Sequence, residues 1–298
     1  KPSALLVSAI EHPCVLKPAL QLTRQGWQNQ IVTVDGQGRL DFSSFNEGIA
    51  TKPKLVSVMM ANNETGVIQD IPALASAARA SGAWFHSDAV QALGKLSIDF
   101  RALNAAGVHA LTLSAHKAYG PKGAAALVMD KRVEIQPQIA GGGHERGLRS
   151  GTENVAAIVG FGVAAELAAR RVAEQQTVIE LMKESLENGV LALGGKIFGR
   201  GAPRLANTSY FAFPNIDGET LVGKLDRAGF AVASGAACSS ANPEPSHVLR
   251  AMGVAPDLAR GAVRVSLGRG NQMAQIDEFI KTLRATLDSL QGLTALAA

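Results

Sequence analysis

Residues 110–130 read "ALTLSAHKAYGPKGAAALVMD". Two apolar runs, "ALTLSAHK" and "GAAALVMD", flank a turn that Gly120, Pro121 and Gly123 keep from continuing as helix. Both runs are short enough for strands and apolar nearly throughout. Three more runs of this kind precede them: "SALLVSAI" (3–10), "LVSVMMANNETG" (55–66) and "AWFHSDAV" (83–90). Between them lie helical stretches. "PCVLKPALQLTRQG" (13–26) closes on Gly26, with Pro18 loosening its first turns. "IPALASAARASG" (71–82) has Pro72 near its start and closes on Gly82. Near-continuous apolar strands separated by helices predict an α/β fold with a mainly parallel sheet covered on both faces. In such sheets ligands bind beyond the carboxyl ends of the strands. Polar residues cluster at those ends: Asn62, Asn63 and Glu64; Ser87 and Asp88; Ser114, His116 and Lys117.

Downstream, a Gly-rich loop "AGGGHERGLRSGTEN" (140–154) leads into a long Ala- and Glu-rich helical region near 153–192. The second half reads as a smaller α/β unit. Its strand candidates are "TSYFAF", "AVASGAAC" and "AVRVSLG". Its helices are "GETLVGKLDRAG", "PSHVLRAMG" and "QIDEFIKTLRATLDSL". The expected division falls inside the long helix: a large domain over 1–172 and a small C-terminal domain over 173–298.

Composition narrows the function. The chain has 298 residues, 47% of them hydrophobic, enough for a sizeable core. No apolar run is long enough to span a membrane, and the first residues lack a signal-peptide pattern. Two cysteines make no disulfide framework, so a reducing, cytoplasmic setting is expected. The net charge of +4 is dispersed, which speaks for a solvated surface rather than direct nucleic-acid binding. No His, Cys, Asp or Glu spacing resembles a metal site.

Several residues carry possible chemistry. Lys117 follows a strand; in a cleft it would lose hydration and become a nucleophilic amine suited to Schiff-base chemistry. A solvated turn with Lys117 and Lys122 fits the local pattern equally. Asp88 just past a buried strand needs a cationic partner, for which a protonated pyridine nitrogen would serve. As a helix N-cap before Ala-Val-Gln-Ala it is explained more simply. Gln91 could reach a ring hydroxyl if that segment turns helical. His12, in "EHPCVL", could stack on a flat cofactor or be satisfied by local backbone. Ser114 and His116 could donate to a phosphate, as could the loop bearing Arg146, Arg149, Ser150 and Thr152. Arg264, between Val263 and Val265, offers a fork for a carboxylate or simply a surface strand position. His86, His109 and His144 have no supporting motif. Cys14, in an apolar helix, reads as a core residue. Cys238 stands apart: "VASGAACSSAN" (232–242) surrounds it with small residues, predicting a loop with little bulk to anchor it.

Taken in order, "EHPCVL", "NNETGVIQDI", "FHSDAVQALGK", "SAHKAYGPKG", "GGGHERGLRSGTEN", "SGAACSS" and "VRVSLGR" resemble the cysteine desulfurases of the NifS/IscS-like group. These are pyridoxal-phosphate enzymes of the class V aminotransferase family. The resemblance covers nearly the whole chain. It implies the type I pyridoxal-phosphate transferase fold and a homodimer that converts L-cysteine to L-alanine. The sulfur would pass as a persulfide to an acceptor protein, such as an iron–sulfur scaffold. It implies that Lys117 anchors the cofactor covalently. Asp88 would pair with the pyridine nitrogen, Gln91 with the ring oxygen, and His12 would stack on the ring. Ser114 and His116 would hold the phosphate, and Thr152 would reach the phosphate in the other subunit. Asn63 and Arg264 would bind the substrate carboxylate, and Cys238 would take the sulfur. Family members carry a further N-terminal segment with a Gly-Ala-Thr-Glu-type phosphate turn, which is not found before His12. The expectation is therefore a chain that is either truncated or completed by a separate chain, and that alone binds pyridoxal phosphate weakly and turns over poorly. Two rivals stand beside this reading: a selenocysteine lyase or other class V enzyme, and a truncated, non-catalytic interaction module.

Overall fold

A computed structural model describes residues 2–235 and 245–297. The apolar runs form strands β1 (Ala4–Ser8), β3 (Leu55–Ser57), β4 (Trp84–Asp88), β5 (Ala110–Ser114) and β6 (Ala125–Met129). With β2 (Gln28–Val32) they make one six-stranded sheet in the order β2-β1-β3-β4-β5-β6. The first five strands are parallel, and β6 runs antiparallel to β5, with Ser114 opposite Ala125 and Ala110 opposite Met129. The turn between β5 and β6 is too short for a crossover, so the chain can only return antiparallel.

Helices α1 (Pro13–Thr23), α2 (Phe42–Ala50), α3 (Ile71–Ala80), α4 (Phe100–Ala106) and α5 (Val155–Ala192) complete this half. Successive strand residues point to opposite faces. Leu6, Val56, Phe85 and Leu111 pack with Phe45, Leu74 and Ala78 on one side. Leu5 and Val7 pack with Ala19 of α1 on the other. Each of the leucine, valine and phenylalanine side chains contributes roughly 1.5–3 kcal/mol by leaving water. Caps set where the helices start. The Asp70 carboxylate accepts from Ala73 N–H at 3.1 Å to open α3, and Gly82, at φ 79°, turns the chain out of it. Pro18 sits inside α1, which nonetheless runs unbroken.

A second, antiparallel sheet follows in the order β7-β8-β10-β9. Its strands are β7 (Lys196–Ile197), β8 (Thr208–Ala212), β9 (Ala233–Ser234) and β10 (Ala262–Ser266). It packs on the end of α5, on α6 (Gly218–Arg227) and on α9 (Met273–Ala297), through Leu186, Val190, Leu221, Leu225, Phe279 and Leu283. Helices α7 (His247–Ala251) and α8 (Pro256–Arg260) lie between β9 and β10. A third apolar cluster joins the sheets: Ile10 and Met59, past the ends of β1 and β3, meet Tyr210, Leu249 and Met252. This contact turns β8 and β10 toward the carboxyl edge of the parallel sheet. Among the described residues no helix is long and apolar enough to cross a membrane.

Candidate active site

The carboxyl ends of β3, β4 and β5 open toward β10, and a cavity of about 330 Å³ lies there. Asn63, Gln91, His116, Lys117 and Arg264 all line it. Lys117 rides on a single 3₁₀ turn (Ala115–Ala118) directly after β5. That turn ends at Tyr119, which takes the left-handed conformation at φ 63°, rare for a residue other than glycine. The strain has an evident use. The Tyr119 hydroxyl accepts from Arg269 N–H at 3.0 Å, and the Arg269 guanidinium lies 4.4 Å above the ring. The lysine turn is thereby tied to the loop just after β10.

Lys117 itself is exposed, so the loss of hydration expected at this amine does not occur there. It falls on a neighbour that sequence reading passed over. Lys95 lines the same cavity, and burial, followed by the charge of Lys117, lowers it to about 8.

Asp88 ends β4 and is buried. Its Oδ1 accepts from Val90 N–H at 2.9 Å. No α-helix follows: residues 89–96 form successive turns, so the helix-cap explanation of Asp88 fails. Its Oδ2 meets only the Cys14 thiol, at 3.9 Å, and among the described residues no cation pairs with it. A buried carboxylate oxygen without a strong donor is costly unless a ligand completes it.

His12 caps α1, its Nδ1 accepting from Cys14 N–H at 3.2 Å. Loss of hydration lowers its pKa first; Asp88 opposes this, and Lys117 and His247 add to it, so the ring lies within the field of both Asp88 and Lys117. The local-backbone reading of His12 and a site position therefore hold together. Cys14 corrects an expectation: it is exposed rather than in the core. It occupies the first turn of α1, where the helix opens at the sheet edge instead of lying over the sheet. Loss of hydration, with Asp88 and Glu11 nearby, pushes its thiol up to about 11.

Ser114 Oγ lies 2.8 Å from His116 Nδ1, a pair at the strand end. Arg264 donates from Nη1 to the Asn63 carbonyl at 2.9 Å, while its buried Nε has no protein partner. The turn that presents Asn63 is built by Asn62. Its Oδ1 accepts from the N–H groups of Glu64 and Thr65, both at 2.9 Å, and its Nδ2 donates to Ile10 O at 3.0 Å. Thr152 lies on the exposed Gly-rich loop and does not line the cavity. Cys238 lies outside the described residues. The remaining four histidines have structural partners: His86 with Ser57 and Thr112, His109 with Phe85 N–H, His144 with Gly151 N–H, and His247 with the Glu11 carbonyl.

These groups fit pyridoxal phosphate. The Asp88 oxygen met only by a thiol suits a protonated pyridine nitrogen, the Gln91 amide a ring oxygen, and the Lys117 amine an aldehyde carbon. The comparison with known proteins points to the same cofactor. The aminotransferase class-V family matches residues 1–279.

The chain belongs to the class-V aminotransferase family.

A cysteine desulfurase of Bradyrhizobium diazoefficiens is 44% identical over 277 residues, covering 93% of this chain and 70% of that protein. The cysteine desulfurase NifS of Azotobacter vinelandii is 39% identical, covering 97% of this chain and 72% of its own. The crystal structure of a NifS-like protein from Rickettsia africae superposes with a TM-score of 0.87 at 35% identity, over 96% of this chain and 76% of that one. The α/β fold is that of these pyridoxal-phosphate-dependent transferases, and members of the class-V aminotransferase family use pyridoxal phosphate.

Proposed function

We propose that this class-V aminotransferase family member is a cysteine desulfurase that releases L-alanine and passes sulfur on as a persulfide. One observation carries the reading: Lys117, Gln91, Asn63 and Arg264 converge on one cavity, with a buried and incompletely satisfied Asp88 at the end of the adjacent strand. When bound, pyridoxal phosphate supplies an electron sink conjugated to the substrate Cα. Asp88 would keep the pyridine nitrogen protonated. Gln91 would donate to the ring oxygen, His12 would lie against the ring, and Ser114 with His116 would hold the phosphate, joined by Thr152 in the partner subunit of a homodimer. Arg264, through its unused Nε, and Asn63 hold the substrate carboxylate. Lys117 Nζ would take the Cα proton and return one to the product. The Cys238 thiol attacks the substrate sulfur. The Cβ–S bond breaks, an S–S bond forms, and the proton balance leaves L-alanine and a persulfide on Cys238.

The same reading divides the chain near residue 172 within α5, into a cofactor-binding domain and a small domain carrying Cys238. Exposed apolar residues at Val155, Val159 and Val163, one helical ridge of α5, support a homodimer. A cytoplasmic setting and an acceptor protein in iron–sulfur cluster assembly complete the proposal.

The test is an alanine and persulfide assay on the pyridoxal-phosphate-loaded protein with L-cysteine. Lys117→Ala should lower alanine formation by at least roughly a thousandfold. Cys238→Ala should abolish persulfide on the protein. Full alanine formation by Lys117→Ala would refute the reading.

A further inference from the structure

Lys95 is a polar group in the cavity that the reaction described above leaves without a task. Its surroundings are unusual for a lysine. Among the described residues it has no carboxylate partner, and no Asp or Glu lines the cavity wall. The other charged groups on that wall are all basic: Lys117 on the 3₁₀ turn, Arg171 on α5, and Arg264 and Arg269 at β10 and just beyond it; His116 also lines it. A lysine normally reaches for water or a carboxylate. This one, half-buried, has no carboxylate partner among the described residues and turns back on its own segment.

The backbone dictates that turn. Lys95 N–H and Leu96 N–H both donate to the Ala92 carbonyl, and Gly94 takes φ 73° with the Ala168 side chain 3.2 Å from where a Cβ would stand. The sharp bend brings the Lys95 side chain under Gln91. Its Nζ donates to the Gln91 carbonyl at 3.0 Å and lies 3.5 Å from Gln91 Oε1. An ammonium group has donors only, so the face that Gln91 turns to it must be the amide oxygen. The amide nitrogen is then left for the opposite direction.

We propose that Lys95 is a positioning residue for the cofactor: it clamps Gln91 by backbone and side chain, so that the Gln91 amide N–H is presented to the cofactor's ring oxygen. The proposal rests on the reading of Gln91 as the partner of that oxygen. A freely rotating glutamine offers its oxygen as readily as its nitrogen, and the oxygen would repel the negative charge that the ring carries there. Fixing the amide removes that alternative without a direct contact between Lys95 and the ring.

The experiment uses the pyridoxal-phosphate-loaded protein and reads the pH midpoint of the cofactor's visible absorbance without substrate, alongside kcat and KM for L-cysteine. A directed N–H on the ring oxygen favours the deprotonated chromophore. Lys95→Met should therefore move the midpoint up by about one pH unit and lower kcat/KM about tenfold. Gln91→Leu should move it in the same direction, and the double variant no further than Gln91→Leu alone. Lys95→Arg should recover most of the shift. Should Lys95→Met not fold, Lys95→Gln takes its place, with a smaller shift of the same sign expected. A midpoint that moves in Gln91→Leu but not in the Lys95 variants overturns the clamp and leaves the Gln91 assignment standing. A midpoint that moves in neither overturns both, while cofactor absorbance at wild-type strength would keep the Lys117 and Asp88 assignments intact.

Discussion

Glu11 shows most clearly how single residues at this site are set by burial. It is fully buried beside His12, with Oε1 accepting from Met59 N–H at 2.5 Å and Oε2 without a partner. Burial holds its pKa well above the ordinary carboxylate range, the Met59 N–H opposes this, and Asp88 adds to the rise. A carboxyl raised in the folded state binds its proton more tightly there than in the unfolded chain. Stability is therefore fully present below the unfolded pKa and declines as pH rises through the folded one. Thermal unfolding should thus show wild-type stability falling as pH rises above the ordinary glutamate range. Glu11→Gln, neutral throughout, should flatten that slope and be more stable than wild type at pH 8 by on the order of 1 kcal/mol. A steeper slope in the variant would contradict the assignment of a protonated Glu11. The same burial logic was only partly visible in the sequence. Lys117 and Asp88 announced themselves by standing at strand ends. Lys95 did not, because nothing in "QALGK" reveals that Gly94 bends the lysine back toward Gln91. Cys14 misled, because an apolar helix suggests a core position even for a residue in its exposed first turn.

At the scale of elements, α5 is fastened to the second sheet by polar contacts as well as by apolar packing. Arg204 donates from both terminal nitrogens to the Glu187 carboxylate, at 2.7 and 2.8 Å, and both side chains are buried. Lys183, one turn earlier on α5, donates to the Leu205 carbonyl at 3.1 Å. Removing one partner of a buried pair leaves the other charge uncompensated, so Glu187→Ala should cost about 3–5 kcal/mol in denaturant unfolding. A loss below about 1 kcal/mol would show that the pair is solvated. Elements were legible where pattern and caps agreed, as in β1, β4, β5 and α3, whose apolar runs end at polar or glycine signals. Others were silent for physical reasons. β2, "QNQIV", is an edge strand with only Val32 buried, so no apolar run marks it. α2 buries only Phe45 and Gly48, and β7 has two residues. The return of β6 antiparallel to β5 follows from the length of the lysine turn, which an apolar pattern does not encode.

Across the whole molecule, the cavity exists because two sheets meet. The parallel sheet presents Asp88, Asn63 and Lys117 at its carboxyl edge, and the cluster of Ile10, Met59, Tyr210 and Leu249 brings β10 and Arg264 opposite them. Tyr119 and Arg269 close the same junction from the lysine side. Two amines, Lys117 and Lys95, face that space, and the account assigns them different tasks. Borohydride reduction of the pyridoxal-phosphate-loaded protein, followed by digestion and mass spectrometry, separates them directly. A pyridoxyl group is expected on Lys117 and none on Lys95. Modification of Lys95 in place of Lys117, or of neither lysine, would contradict it.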